Sequence, residues 1–281
     1  MEKEYDYIIS ELASLSDEAK AAILSRFFKT GKGGYGEGDR FLGIIVPKIR
    51  AVASDHLGAG LSDISVLLSS EYHEVRMCGL LILVGQMKET CKRTWMKDHT
   101  KAEAEYARKR IFNFYLANTE HINNWDLVDL TCPAIVGGYL IDKNHDILYH
   151  LADSPLLWEK RIAMVSTLAF IRLGELGETF SLASHFLEIQ NHDVSHTTKP
   201  VKAISGSKVH DNAECPVMHD LMQKAIGWML REAGKKDERA LLHFLDANAA
   251  TMPRTMLRYA IERLTPALRL RYMKGDRLCH S

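Results

Sequence analysis

The chain has 281 residues, of which 46% are hydrophobic and 26% charged, and its 36 Lys and Arg balance its 36 Asp and Glu. This composition is typical of a globular protein with a large core, and it excludes disordered and fibrous classes. The polar N-terminal segment does not resemble a targeting peptide, and the apolar stretches near 78–85 and 134–141 are too short to span a bilayer. We therefore expect a soluble, cytoplasmic protein without membrane contact.

The cysteines are scattered and include no C-x-x-C pair. An odd number at irregular spacing argues against a disulfide framework and favours reduced thiols that pack as small apolar side chains. The five residues are Cys78, Cys91, Cys132, Cys215 and Cys279.

Apolar residues recur at spacings of three and four along the chain, which predicts helices, and no sustained alternation indicates strands. The predicted helices are, in order, Glu4–Lys29, Val46–His56, Leu61–Ser69, Glu74–Met87, Lys101–Ala117, Asn124–Cys132, Ala134–Leu140, His145–Leu151, Leu156–Leu173, Phe180–Ile189, Asp220–Ala233, Lys236–Ala247, Pro253–Arg263 and Pro266–Met273. Helices in pairs roughly 35–40 residues apart are typical of HEAT repeats. The pattern predicts an all-α fold, a single α-solenoid over residues 1–281 with a concave surface.

A glycine-rich segment interrupts this pattern at residues 30–45. It lacks the G-x-x-x-x-G-K-[ST] order of a P-loop and follows no predicted strand. The favoured interpretation is a connector whose glycines allow positive φ angles. The alternative is a backbone ledge that lies near a phosphate.

A second, polar interruption covers about 190–218 and contains residues of types that bind metals. Its Thr, Ser, Pro and Gly content argues against the helix that the histidine spacing would need. The sequence therefore favours an insertion loop, and no metal or other cofactor is predicted. The metal-ligand types are His192, His196, His210, Cys215 and His219.

Tryptophans share predicted helical faces with charged residues, because the residues of each set lie three or four positions apart. Leaving such charges buried and unpaired would cost several kcal/mol, so these faces are not typical of a sealed core. An amphipathic helix shoulder remains the simpler interpretation of any one set. The sets are Trp125 with Asp129, Trp158 with Arg161, and Trp228 with Arg231 and Lys235.

These residue types together suit the hydrolysis of an N-glycosidic bond to a cationic base. An aromatic face attracts a cation or stacks on a nucleobase, and a nearby carboxylate stabilises the oxocarbenium-like sugar. Basic side chains can hold phosphates, and residues 219–281 contain twelve Lys and Arg against seven Asp and Glu. From the residues alone, this chemistry is one arrangement among several.

Several blocks of the chain, taken in order, resemble the AlkD-like DNA alkylation repair proteins. The resemblance covers nearly the whole chain, and the ordered set is more specific than any single block. The blocks are Phe28–Ile44 (FKTGKGGYGEGDRFLGI) with Val46–Arg50, Asn124–Asp129 (NWDLVD), Trp158–Ala163 (WEKRIA), Lys224–Glu232 (KAIGWMLRE) and Met252–Ala260 (MPRTMLRYA).

The resemblance implies a HEAT-like DNA glycosylase that holds double-stranded DNA on its concave face and removes N3-alkyladenine and N7-alkylguanine. By motif match, Trp125 is an active-site aromatic residue and Asp129 is the catalytic carboxylate. Trp228 is the second aromatic residue that brackets the lesion nucleotide, and Arg161 contacts a nearby phosphate. The family works on a lesion that stays stacked, so the enzyme contacts mainly the deoxyribose.

On the Trp228 face, Arg231 and Lys235 are expected to join the DNA backbone contacts. The insertion at 190–218 departs from the family pattern, and three places are open for it: at the mouth of the groove, in a further DNA contact, or looped out. A monomer is expected. Two alternatives remain: a non-catalytic HEAT protein that binds distorted or branched DNA, and a HEAT scaffold for a protein partner. Only Asp129 distinguishes the enzyme from the DNA-binding protein.

Overall fold

The structure is a computed structural model that describes residues 3–196 and 218–274, without the side chains of 191–196. Over these residues the chain is helical and contains no strand, so the prediction of an all-α fold is confirmed. A single β-bridge, between Arg40 and Tyr72, occurs outside the helices. The chain divides into two compact units, Met1–Asn144 and His145–Ser281.

The first unit is built around α5, whose residues are buried on nearly every side. Helices α1, α3, α4, α7 and α8 pack against α5. The helices are α1 (Glu4–Ser14), α2 (Glu18–Phe27), α3 (Val46–Asp55), α4 (Leu61–Leu68), α5 (His73–Glu89), α6 (Trp95–Asp98), α7 (Lys101–Leu116), α8 (Trp125–Asp129) and α9 (Gly138–Leu140), with a 3-10 turn at Thr119–His121 and a π-helical turn at Pro133–Gly137.

The second unit has α14 at its centre, packed against helices α11, α12, α13, α15 and α16. The buried residues of α14 recur with the 3.6-residue period of an amphipathic helix. Its helices are α10 (Asp146–Ala152), α11 (Leu157–Ser166), α12 (Leu168–Leu173), α13 (Gly177–His196), α14 (Asp220–Lys236), α15 (Glu238–Asn248), α16 (Arg254–Ala260) and α17 (Pro266–Lys274).

Several predicted boundaries were wrong. The segment predicted as one helix over Glu4–Lys29 is two helices, because Asp17 caps α2 by accepting a hydrogen bond from the Lys20 N–H at 3.0 Å. The segment Leu156–Leu173 is also divided, at Thr167. Helix α13 continues to His196, so the predicted insertion begins with helix, and residues 197–217 lie outside the described residues.

The glycine-rich segment connects α2 to α3 and is held from inside by Glu74, near the start of α5. The Glu74 carboxylate accepts backbone N–H bonds from Leu42 at 2.9 Å, Gly43 at 2.8 Å and Ile44 at 3.1 Å. These three N–H groups are occupied, so this end of the segment serves as a connector and offers none of them to a phosphate. Gly43 has φ +84°, and a Cβ there would lie 2.0 Å from the carbonyl oxygen of Asp17.

Candidate active site

Helix α8 places Trp125 and Asp129 at the same cavity of the first unit. The helix begins at Trp125, whose backbone N–H donates to Oδ1 of the preceding Asn124 at 2.8 Å. Trp125 and Asp129 are four positions apart, both are partly exposed, and both line a cavity of about 490 Å³. An aromatic ring and a carboxylate therefore face one space.

The wall of this cavity is mostly apolar and aromatic. Two side chains at its edge, Ile23 and Phe27, are 63% and 61% exposed, so apolar surface continues out to solvent. The apolar and aromatic lining comprises Ile23, Leu24, Phe27, Phe28, Phe41, Ile44, Ile45, Val46, Pro47, Ile49, Met77, Trp125 and Leu130. Its charged and titratable lining comprises Lys20, His73, Glu74, Asp126 and Asp129. In so apolar a space, charge interactions are stronger than in water.

The Trp125 indole is held by two phenylalanine rings and by its N–H. It stacks on Phe28 with ring centroids 5.3 Å apart and meets the edge of Phe27 at 6.1 Å. Its Nε1–H donates to the Tyr35 hydroxyl oxygen at 3.3 Å, and that hydroxyl donates to the Phe27 carbonyl oxygen at 3.2 Å. The glycine-rich segment, through Tyr35, thus helps to orient the indole.

A buried histidine links α8 to α5 and to the glycine-rich segment. His73 is 2% exposed, and its Nε2 lies 2.9 Å from Oδ2 of Asp126, the residue after Trp125. Its Nδ1 lies 3.3 Å from Oδ2 of Asp39. Arg76 donates to Oδ1 of Asp39 at 2.7 Å. Two cationic side chains and two carboxylates therefore form one buried cluster.

The cluster keeps His73 charged. Burial disfavours the imidazolium, but its hydrogen bonds to Asp126 and Asp39 outweigh this effect and raise the pKa of His73 to about 9. Burial also works against a charged Asp39, yet His73 and Arg76 hold the pKa of that carboxyl below its ordinary value. At neutral pH both ring nitrogens of His73 therefore carry protons and donate to carboxylates.

The other predicted site residues lie in the second unit. Trp228, Arg231 and Lys235 are on α14, where Trp228 is partly exposed. The Arg231 guanidinium donates to the Glu262 carboxylate, and the Lys235 ammonium donates to Glu232 at 2.7 Å. The predicted basic face is therefore paired with carboxylates inside the unit.

Arg161 is buried, at 5% exposure, instead of lying on an open face. Its Nη1 donates to the carbonyl oxygen of Leu221 at 2.5 Å, in the first turn of α14. This bond ties α11 to the helix that carries Trp228. The phosphate contact predicted for Arg161 stays a prediction.

A family model described as DNA alkylation repair enzyme matches residues 8–264. The match covers most of the chain and both units. The chain belongs to the DNA alkylation repair enzyme family. A search among curated proteins found no match. Membership of the DNA alkylation repair family implies a DNA substrate.

Sequence reasoning about this DNA alkylation repair enzyme missed His73, Asp126 and Tyr35. Asp126 stands inside the quoted motif beside Trp125, but nothing in the spacing indicated that it points to a buried histidine. His73 directly precedes the predicted helix Glu74–Met87, and nothing in the apolar period of that helix indicates a buried charge cluster at its start. The partners of these residues lie far away in sequence, 53 positions in the case of His73 and Asp126.

The described residues, 3–196 and 218–274, contain no helix long and apolar enough to cross a membrane. In the same part of the chain no group of three or more His, Cys, Asp or Glu is arranged to hold a metal ion. The predicted metal-ligand types His210 and Cys215 lie outside the described residues. So do the side chains of His192 and His196.

Proposed function

We propose that this DNA alkylation repair enzyme is a glycosylase that hydrolyses the N-glycosidic bond of cationic alkylated purines, N3-alkyladenine and N7-alkylguanine, in duplex DNA. The observation that carries the proposal is the common exposure of Trp125 and Asp129 to one aromatic-walled cavity. Family membership supplies the class of substrate. The cavity supplies the groups that this bond cleavage needs.

The chemistry follows from the charge of the lesion. When the C1′–N bond breaks, its electron pair moves to the base, which loses its positive charge and needs no strong general acid to leave. The positive charge passes to the sugar, where the Asp129 carboxylate stabilises the oxocarbenium-like state. A water oxygen then bonds to C1′, and the proton that it loses passes to solvent water. The Trp125 ring presents its negative face to the same cation.

We further propose that Trp228 contacts the lesion nucleotide and that Arg161, Arg231 and Lys235 bind backbone phosphates. Charge-assisted bonds to phosphate oxygens suit these residue types. Arg231 and Lys235 would exchange their carboxylate partners for phosphates on binding. Arg161 is included because its block, Trp158–Ala163, resembles that of the family.

The wider arrangement belongs to the same proposal. We propose that the helices form HEAT-like pairs in one continuous solenoid over residues 1–281, with a concave DNA-binding face. The all-helical described chain supports this arrangement, and so does the packing of both α3 and α4 against α5. We also propose a monomer that works in the cytoplasm without a metal.

The first test is release of free base from duplex DNA that carries N7-methylguanine or N3-methyladenine, with EDTA present. The change Asp129→Asn removes the negative charge and keeps the shape. We expect it to slow single-turnover release at least about tenfold, equivalent to about 1.4 kcal/mol of transition-state stabilisation, while DNA affinity stays within about twofold.

The matched control is Asp98→Asn, which changes an exposed aspartate of α6 in the same unit. It should release base at the parent rate. Tight, salt-dependent binding without release by the parent protein would instead indicate the non-catalytic DNA-binding alternative. DNA binding at background level would indicate a protein scaffold, for which the exposed Ile23 and Phe27 would then be the apolar surface.

A further inference from the structure

We propose that His73 is a positioning residue for the reaction: its buried imidazolium joins the glycine-rich segment to α8 and thereby sets the places of Trp125 and Asp129. The catalytic consequence rests on the proposed function, whereas the structural linkage does not. His73 touches neither DNA nor the reacting atoms in this proposal. It acts through Asp126 and through the aromatic stack beneath Trp125.

Helix α8 has only five residues and cannot set its own orientation. A helix this short makes few internal hydrogen bonds, so contacts with its surroundings decide where it lies. The contact between His73 and Asp126 is buried, and it attaches α8 to the first residue of the central helix α5. Asp126 stands between Trp125 and Asp129 in this short helix, so its bond to His73 anchors the segment that carries both.

The far side of His73 is anchored independently. Asp39 accepts hydrogen bonds from Arg76 at 2.7 Å and from the Asn123 amide at 2.8 Å, as well as facing His73. Arg76 also donates to the Ser70 carbonyl oxygen at 2.7 Å. The imidazolium is therefore held at both ring nitrogens, and neither carboxylate can move away without leaving a buried charge unpaired.

A second route links His73 to the indole. Its ring stacks on Phe41 with centroids 4.7 Å apart and lies against Phe28 at 5.2 Å. Phe28 in turn stacks on Trp125 at 5.3 Å. A cation against an aromatic face is favourable, and both routes end at residues that line the cavity.

The linkage depends on the protonation of His73. Three charged groups lie near the His73 ring: Asp39 from the glycine-rich segment, Asp126 from α8, and Arg76 from its own helix, α5. Glu74, the next residue along α5, is bonded to backbone N–H groups of the glycine-rich segment. Loss of the proton leaves one ring nitrogen with a lone pair that faces a carboxylate oxygen. The linkage is therefore present at neutral pH and is lost as pH rises through about 9, the pKa of His73.

The kinetic test compares His73→Gln, Asp126→Asn and the double variant in single-turnover release from N7-methylguanine DNA. Release from DNA alone is subtracted at each pH. We expect each variant to be slowed at least about tenfold with its DNA dissociation constant within about twofold of the parent, and the double variant to be no slower than either. Because each change already breaks the linkage, the fall in rate near pH 9 that the parent shows should be absent from all three variants.

The lesion base also titrates, but its titration is the same for every variant. It therefore cancels when each variant's rate is divided by the parent's rate at the same pH. The matched control is His56→Gln, which removes another histidine held by two carboxylates, in this case both from α1: Glu4 at 2.7 Å and Glu11 at 3.0 Å. It should keep the parent rate and alkaline limb. An Asp126→Asn enzyme with the parent's alkaline limb, or a His73→Gln enzyme with the parent's rate, would overturn the proposal.

A measurement without catalysis separates this proposal from the proposed function. The indole N–H resonances of the four tryptophans can be followed by nitrogen-15 NMR, and Trp125→Phe assigns one of them. We expect the Trp125 signal to shift in His73→Gln and Asp126→Asn and to titrate near pH 9 in the parent, with His56→Gln unchanged. If no base is released but the Trp125 signal shifts in both variants and titrates near pH 9 in the parent, the glycosylase proposal fails and the linkage stands. An unmoved Trp125 signal overturns the linkage whatever the activity.

Discussion

Buried charge in the first unit fixes backbone as well as side chains, and Glu74 is the example. It is 1% exposed, and its carboxylate accepts the backbone N–H groups of Leu42, Gly43 and Ile44. Three donors around one carboxylate offset the loss of its hydration. The end of the glycine-rich segment, and with it one wall of the cavity, therefore depends on this side chain.

The change Glu74→Gln tests that dependence. A glutamine keeps the shape but has one acceptor oxygen, and its amide N–H would face a backbone N–H donor. We expect a loss of about 2–4 kcal/mol in the free energy of unfolding, measured by urea denaturation followed by circular dichroism.

The control for Glu74 is Glu71→Gln, three positions earlier. Glu71 is exposed and forms a surface ion pair with Arg40 at 2.7 Å, so its loss should cost less than about 1 kcal/mol. If the two variants unfold at the same urea concentration, Glu74 does not hold the segment in the way the contacts indicate.

At the scale of elements, α14 and α16 approach so closely that only a glycine fits between them. A Cβ at Gly227 would lie 2.5 Å from the Met256 carbonyl oxygen and 2.5 Å from Cβ of Tyr259. Neither neighbour is the free end of a flexible side chain. Gly227 directly precedes Trp228, so this packing also sets the backbone from which that indole extends.

The change Gly227→Ala should therefore push the helices apart. Overpacking of this kind costs about 1–3 kcal/mol, more than the gain in helix propensity from alanine, which is about 1 kcal/mol. The midpoint of thermal unfolding should fall. Gly177→Ala is the control, since a Cβ at that helix start meets nothing within 4 Å. A midpoint that is the same or higher in Gly227→Ala would contradict the close packing.

The sequence predicts most of the helical segments, but it does not predict the contacts that end them. Apolar period predicts helix through residues 4–29, yet the chain breaks at Asp17, whose backbone N–H donates to the Leu42 carbonyl oxygen at 2.8 Å. That partner comes from the glycine-rich segment, which periodicity does not describe. The four-residue helix α6 was missed because a single turn is too short to show a repeating apolar pattern.

The candidate site, too, was predicted only in part. Trp125, Asp129 and Trp228 were proposed from motif and spacing, which are local properties of the chain. His73 directly precedes the predicted helix Glu74–Met87, and from the sequence an exposed and a buried histidine at that position cannot be told apart. Its role depends on Asp39 and Asp126, which only the fold brings to its two ring nitrogens.

At the scale of the whole molecule, equal numbers of acidic and basic residues mean that net charge does not draw the protein to DNA. Attraction has to come from local surfaces. On α14, the best candidate basic surface is partly neutralised: Lys235 lies 2.7 Å from the Glu232 carboxylate, and Arg231 lies 3.5 Å from the same group. Glu232 thus opposes any phosphate contact that these two cations make.

Two charge-removing changes on this surface should act in opposite directions on DNA binding. Lys235→Gln should weaken binding and reduce the slope of log K against log salt by about 0.9, the value for one phosphate contact. Glu232→Gln should strengthen binding at low salt, because it frees Arg231 and Lys235 from a competing carboxylate. Fluorescence anisotropy with an undamaged duplex, repeated over a range of salt concentrations, measures both effects.

An exposed pair elsewhere on the second unit provides the control. Arg271 lies 2.9 Å from Asp246, so Asp246→Asn also frees a surface arginine from a carboxylate. If Asp246→Asn strengthens binding as much as Glu232→Gln does, the gain reflects the total charge of the protein and not a phosphate contact at α14. If only Glu232→Gln and Lys235→Gln move the slope, in opposite directions, the face beside Trp228 is where the phosphates lie. Identical slopes for these two variants and the parent would remove that face from the DNA contact.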